Sequence, residues 1–275
     1  MKQLFYISLF FLVSLEARAQ QSYIDYVSPF HPVESSSGMV VSQNELSSKI
    51  GTEILNKGGN AVDAAVAVGF SLAITLPRAG NLGGGGFMLV YIKEKQEVYY
   101  IDYRSSSPLN SNIKDLFNTN LPEDYKKTDF NKSRFGYKAS AIPGTVAGLL
   151  EAHRNFGKLS LKEVMEPVIR QAKNGIRVSY DLNKAIESTP QLYEDIESRK
   201  IYFNNGIPIA QNSLMKRPDL AETLSQISNN GHKGFYDGPI AKKIVDAMNA
   251  NNGFMSLEDF QQYKVNSGAP ISVSY

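Results

Sequence analysis

Residues 80–104 run Gly80-Asn81-Leu82-Gly83-Gly84-Gly85-Gly86-Phe87-Met88-Leu89-Val90-Tyr91, then a polar turn from Lys93 to Glu97, then Val98-Tyr99-Tyr100-Ile101-Asp102-Tyr103-Arg104. The two apolar runs, rich in β-branched and aromatic residues, predict the paired strands of a hairpin. Four consecutive glycines ahead of the first strand strip the backbone of side chains, so a ligand, another chain or a second layer of this chain can approach it closely. On chemistry alone a ligand-facing role and tight layer packing stay equally open. Arg104 comes where the second strand emerges into Ser105-Ser106-Ser107-Pro108. A guanidinium there can grip a carboxylate with two parallel hydrogen bonds. It can equally be a surface arginine paired with Asp102 or another acid.

The glycine run is not a phosphate loop. Neither G-x-x-x-x-G-K-[ST] nor G-x-G-x-x-G is present, and a strand, not a helix, follows it. Ser105, Ser106 and Ser107 lie in no G-x-S-x-G elbow. The acid pairs Glu123-Asp124 and Glu258-Asp259 fall in polar or helix-start contexts, where capping accounts for them.

Downstream and upstream, helical patterns dominate. Leu46, Ile50, Ile54 and Leu55 recur at helical spacing and Gly58-Gly59 stops that helix. Ala61 to Leu76, packed with alanine and valine, reads as a buried helix, too short to span a bilayer and interrupted by Asp63. A short strand is expected at Met39-Val40-Val41 and another at Gly136–Ile142, leading into Pro143-Gly144 at a helix start. Ser160-Leu161-Lys162-Glu163 is a capping box for a helix running to Asn174-Gly175. Further helices are expected around 181–188, 218–229 and 238–251, with a short one from Ser256. Residues 105–136 read as an irregular excursion. With no internal repeat or linker, the chain reads as a single α/β layered unit. Pro270 to Tyr275 alternate like a strand and then stop, so the sequence looks cut at an unpaired edge.

The start, with Lys2, an apolar run from Leu4 to Leu15 and Ala17-Arg18-Ala19, predicts a cleaved secretory leader over 1–19 and an exported protein, periplasmic or extracellular. A membrane anchor is the weaker reading, because the run is short. The 275 residues hold 29 Lys and Arg against 27 Asp and Glu, a balance that gives no reason to expect nucleic acid or an anionic membrane as a partner. The chain has no cysteine, which removes disulfides, thiolate nucleophiles and cysteine metal sites. Its three histidines, His31, His153 and His232, are scattered, so neither a histidine metal site nor a triad is expected.

Several blocks, in order, carry a family resemblance. They are Gly38-Met39-Val40-Val41-Ser42, Gly51 through Lys57-Gly58-Gly59-Asn60-Ala61-Val62-Asp63-Ala64-Ala65-Val66-Ala67, and Asn81-Leu82-Gly83-Gly84-Gly85-Gly86-Phe87-Met88. The pattern continues through Ile101-Asp102-Tyr103-Arg104, Pro143-Gly144-Thr145-Val146-Ala147-Gly148, Gly234-Phe235-Tyr236-Asp237-Gly238 and Leu257-Glu258-Asp259-Phe260-Gln261-Gln262-Tyr263. Over 38–275 the chain resembles the γ-glutamyltransferase (γ-glutamyltranspeptidase) family.

The resemblance implies an N-terminal-nucleophile hydrolase fold, an α/β αββα sandwich of two stacked sheets between helical layers. It implies an exported precursor that cleaves itself into a large and a small subunit, the small one led by a threonine nucleophile with its own amino group as base. The implied substrates are glutathione and other γ-glutamyl compounds, with transfer to water, amino acids or peptides and with no cofactor or metal. Residues 20–275 correspond to the large subunit, incomplete at its end. The catalytic threonine is therefore expected outside the chain, the isolated chain is expected to be inactive, and the partner is the small subunit. Of the family's substrate contacts only Arg104 maps here, as holder of the γ-glutamyl α-carboxylate. Family members usually follow this arginine with glutamate, whereas Ser105 follows here, which bears on acyl specificity. Two other functions stay in view: a non-catalytic extracytoplasmic binding protein, and a related acylase.

Overall fold

The structure is a computed structural model, and it describes residues 34–112 and 134–274. The expected leader, His31 and the Glu123-Asp124 pair lie outside the described residues. The chain divides into Met1–Met39 and Val40–Tyr275, and every element below belongs to the second.

Two helices come first. α1 (Glu45–Asn56) is capped by Asn44, whose side chain accepts from the Leu46 amide, and it ends at Gly58 in the left-handed region, φ 87°. α2 (Ala61–Thr75) opens with a capping box between Asn60 and Asp63. Its small residues let it sink into the core: Val66, Ala67, Phe70 and Ile74 are fully buried. Each large side chain buried in this way stabilises the fold by about 1.5–3 kcal/mol. Polar groups that go in with them are paired, as Ser47 Oγ with Ser71 Oγ and Thr75 Oγ1, both at 2.8 Å.

Asp63, the one charge in this apolar stretch, is 0% exposed. Its carboxylate accepts from the amides of Asn60 at 2.9 Å, Lys158 at 3.0 Å and Leu159 at 3.2 Å. It thus joins the start of α2 to the turn between α3 (Thr145–Phe156) and α4 (Leu161–Asn174). His153 sits beside this junction, its Nε2 2.9 Å from the Leu159 carbonyl, a satisfied structural histidine.

The hairpin forms as the sequence indicates. β1 (Phe87–Ile92) pairs antiparallel with β2 (Glu97–Asp102), Leu89 opposite Tyr100. β7 (Asn266–Gly268) adds to β2 and makes a three-stranded sheet in the order β1-β2-β7. One face of that sheet, with Val90 and Ile101 buried, meets α3 through the Tyr99–Phe156 ring pair, 4.9 Å between centroids. The other face is open: Phe87, Leu89 and Tyr91 are 63%, 69% and 60% exposed.

Between α4 and the end of the chain come the short strands β3 (Ile176–Arg177), β4 (Phe203–Asn204), β5 (Ile207–Pro208) and β6 (Leu214–Met215), paired β3 with β6 and β4 with β5. With them are α5 (Tyr180–Glu187), α6 (Gln191–Glu194), α7 (Ile196–Tyr202), α8 (Pro218–Asn230), α9 (Lys233–Tyr236), α10 (Pro239–Ala250) and α11 (Leu257–Gln262). α4 and α11 begin with the capping boxes Ser160/Glu163 and Ser256/Asp259. Glu258-Asp259 is therefore a helix-start pair, as expected. No helix among the described residues is long and apolar enough to cross a membrane.

Three expected strands are absent. Met39–Val41 has no ladder partner. Gly136–Ile142 is instead a 3-10 turn, Tyr137–Ala139, followed by a single bridge from Ile142 to Ser106. Gly136 has φ 87°, and a left-handed residue turns a would-be strand aside. Near the end the ladder is taken by Asn266–Gly268, and the alternating run 270–274 is unpaired.

Candidate functional site

Arg104 lies two residues past the end of β2. Its backbone is held from three directions. Its amide donates to Asp102 Oδ1 at 2.9 Å. Gly85 passes so close that a Cβ there would stand 2.6 Å from both the Tyr103 oxygen and the Ser105 nitrogen. From the far end of the chain, the Tyr263 hydroxyl donates to the Arg104 carbonyl at 2.8 Å.

The glycine turn fixes the surroundings. The Gly84 carbonyl accepts from the amides of Gly144 at 2.8 Å and Thr145 at 3.0 Å, which docks the turn onto the start of α3. Gly86 and Tyr103 exchange both backbone hydrogen bonds, at 3.0 and 3.3 Å, extending the hairpin by one pair. The Tyr103 ring fills the space left bare by Gly86 and Gly148: a Cβ at Gly148 would lie 2.1 Å from it. Gly85 and Gly86 thus serve layer packing. Gly83 and Gly84 are less constrained, with nothing nearer than 3.3 Å to an added Cβ.

Tyr263, which lines the hollow, is backed by a second tyrosine. Tyr236 and Tyr263 stack with centroids 5.7 Å apart and planes 7° from parallel. The Tyr236 hydroxyl donates to the Pro143 carbonyl at 2.8 Å and accepts from the Ala147 amide at 3.2 Å. Burial raises the pKa of both hydroxyls, and Tyr263, which also feels the charge of Asp102, is pushed up to about 12. Both remain donors at any ordinary pH.

The Arg104 side chain is exposed, and among the described residues it makes no ion pair. Its guanidinium lies 5.7 Å from the centre of the Phe87 ring. It lines a hollow of about 380 Å³ together with Ser106, Ser107, Asp259, Gln262 and Lys264. A larger cavity of about 640 Å³ opens between α8 and α10 and is bounded by Leu82 and Gly83, and Arg104 takes no part in it. The reading of Arg104 as partner of Asp102 is replaced by a different arrangement. Asp102 serves the backbone amide and leaves the guanidinium available. Neither described histidine reaches the hollow, since His232 stacks on Tyr236 at 4.4 Å.

The sequence model of the family described as gamma-glutamyltranspeptidase matches residues 47–275. The chain belongs to the γ-glutamyltranspeptidase family. It is 38% identical over 248 residues to the glutathione hydrolase proenzyme of Escherichia coli, covering 90% of this chain and 42% of that one. A Bacillus subtilis glutathione hydrolase proenzyme is 34% identical over 238 residues, with 86% and 40% covered. Among solved structures, the γ-glutamyltranspeptidase of Helicobacter pylori superposes with a TM-score of 0.82 at 33% identity, covering 89% of this chain and 69% of that one. The mixed helix-and-sheet fold is therefore that of this family. The chain spans about 42% of the Escherichia coli relative's length.

Within this γ-glutamyltranspeptidase chain, sequence reasoning singled out Arg104 and missed what supports it. Tyr263, Tyr236 and Gly144 lie 159, 132 and 40 positions further along. The only available signal was that each falls inside one of the blocks that carry the family pattern. Nothing in local spacing connects them.

Proposed function

We propose that the protein to which this chain belongs hydrolyses γ-glutamyl amides such as glutathione, or transfers their acyl group to amino acids and peptides. Arg104 holds the α-carboxylate of the donor. The observation that carries this reading is the Arg104 guanidinium, without an ion-pair partner among the described residues, at a hollow of about 380 Å³, on a backbone fixed by Tyr263, in a chain of this family. A carboxylate leaving water needs a cation to replace its hydration, and a planar guanidinium supplies two parallel donors.

The hollow binds but lacks the parts for bond cleavage. Ser106 and Ser107 have no histidine beside them among the described residues. The nucleophile in this reading is the N-terminal threonine of a small subunit, cut from the same precursor and absent from this chain, so the chain alone is inactive. The open face of the β1-β2-β7 sheet supports such a partner. A second sheet laid on Phe87, Leu89 and Tyr91 would complete the αββα layering and remove from water an apolar surface that monomers seldom leave uncovered. The chemistry calls for no cofactor. Export to the periplasm or cell exterior follows from the leader-like residues 1–19.

The test is Arg104→Ala in the full-length protein. Losing a charged bidentate contact is expected to lower kcat/KM for glutathione about a hundredfold, some 2.7 kcal/mol. Arg104→Lys, which keeps charge without the fork, should fall between. Wild-type turnover of glutathione by Arg104→Ala refutes the reading.

A further inference from the structure

We propose that Lys264 is a specificity-determining residue of the Arg104 site, its ammonium receiving a second carboxylate carried by the leaving portion of the donor. The inference rests on Arg104 as the anchor of the first carboxylate.

Lys264 and Arg104 line the same hollow. Their proximity is built in. Lys264 directly follows Tyr263, whose hydroxyl holds the Arg104 carbonyl at 2.8 Å and whose ring is stacked on buried Tyr236. The chain at 263–264 is therefore pinned beside Arg104 and is not a free surface strand. Among the described residues neither cation has an ion-pair partner.

Among the described residues one acid, Asp259, lines the hollow, and that acid is already used. Its Oδ1 accepts the Leu109 amide at 2.7 Å, and its Oδ2 accepts the Ser256 amide at 2.7 Å and the Ser256 hydroxyl at 2.8 Å. It is 4% exposed and faces its own helix cap. Ser106, Ser107 and Gln262 are neutral, and Asp102 does not line the hollow. Among the described residues the site therefore presents two positive charges and no free negative one. A donor with a single carboxylate satisfies Arg104 and leaves Lys264 in water. A peptide donor ending in a second carboxylate engages both, and each charge lowers the electrostatic cost of its neighbour. Amide donors with neutral leaving groups gain nothing from Lys264.

The experiment compares glutathione with its glycyl ethyl ester, in which only the second carboxylate is masked, using the full-length protein. Wild type is expected to favour the free acid about fivefold in kcat/KM. Lys264→Ala should bring that ratio close to one, and Lys264→Arg should restore it. A wild-type ratio near one overturns the proposal, as does a Lys264→Ala variant that keeps the wild-type ratio, including one that loses activity on both donors in parallel. Arg104→Ala should depress both donors together. If it leaves both at wild-type rates, the anchor reading itself falls, and the proposal with it.

Discussion

The Tyr263 hydroxyl donates to the carbonyl oxygen of Arg104 across 2.8 Å, although 159 positions separate the two residues. Tyr263→Phe keeps the stack on Tyr236 and removes only this bond. A half-buried carbonyl left without its donor costs about 1–2 kcal/mol, measurable by urea unfolding at neutral pH. The Tyr263 hydroxyl is raised to about 12 by burial and then by Asp102, from about 10 in an unfolded chain. Its folded pKa lies above its unfolded one, so its contribution is complete below pH 10 and is lost as pH rises through 12. The stability gap between wild type and Tyr263→Phe should accordingly narrow over that window. A gap that stays constant from pH 9 to 12 contradicts the assignment.

The glycines of the turn should differ sharply on substitution. At Gly144 a Cβ would lie 1.9 Å from the Tyr103 oxygen and 2.2 Å from the Tyr263 hydroxyl. Gly144→Ala must displace both walls of the site, and overpacking of this kind costs about 3 kcal/mol. At Gly83 the nearest atom is Asn81 Oδ1 at 3.3 Å, so Gly83→Ala should change stability by less than about 1 kcal/mol. Thermal unfolding of the two variants settles the contrast, and similar losses in both would show that the turn packs otherwise.

Asp63→Ala should be among the more damaging changes in the helical layer. It strands the amides of Asn60, Lys158 and Leu159 inside the fold. Charge-assisted bonds to buried amides imply a loss of about 3 kcal/mol or more. Urea unfolding showing less than 1 kcal/mol would mean that the turn at 158–159 re-satisfies its amides elsewhere.

Leu89→Asp probes the open sheet face. Leu89 is 69% exposed, so the stability of the chain by itself should change by no more than about 0.5 kcal/mol. Co-purification with the proposed small subunit should drop severely, because a charge would then be buried against an apolar surface. Undiminished assembly argues that nothing covers this face.

Much of the framework could be read directly from residues whose meaning is local. The capping boxes at Ser160/Glu163 and Ser256 and the small-residue core of 61–75 each state their structure within a few positions. The hairpin, too, appeared one residue longer at each inner end than its apolar runs suggested. What escaped depends on partners distant in sequence. Gly136–Ile142 has strand composition, yet the left-handed Gly136 and the lone bridge to Ser106 make it a turn. The segment at 270–274 alternates correctly, but the register is taken by 266–268. At the site, Arg104 stood out by its place after a strand. That Asp102 takes the Arg104 amide and forms no ion pair with its guanidinium depended on where the carboxylate turns, a matter of three-dimensional geometry.

The joint between the Gly84 carbonyl and the start of α3, together with the Tyr263 contact, has a bearing on biosynthesis. Loop closures of this span are slow because distant segments must meet before either is rewarded. A ribosome that has delivered the hairpin and its arginine has not yet delivered the tyrosine that steadies it. The Arg104 carbonyl therefore gains its donor only after residue 263 has emerged, and a growing chain shorter than that carries the arginine on a backbone not yet fixed by the tyrosine.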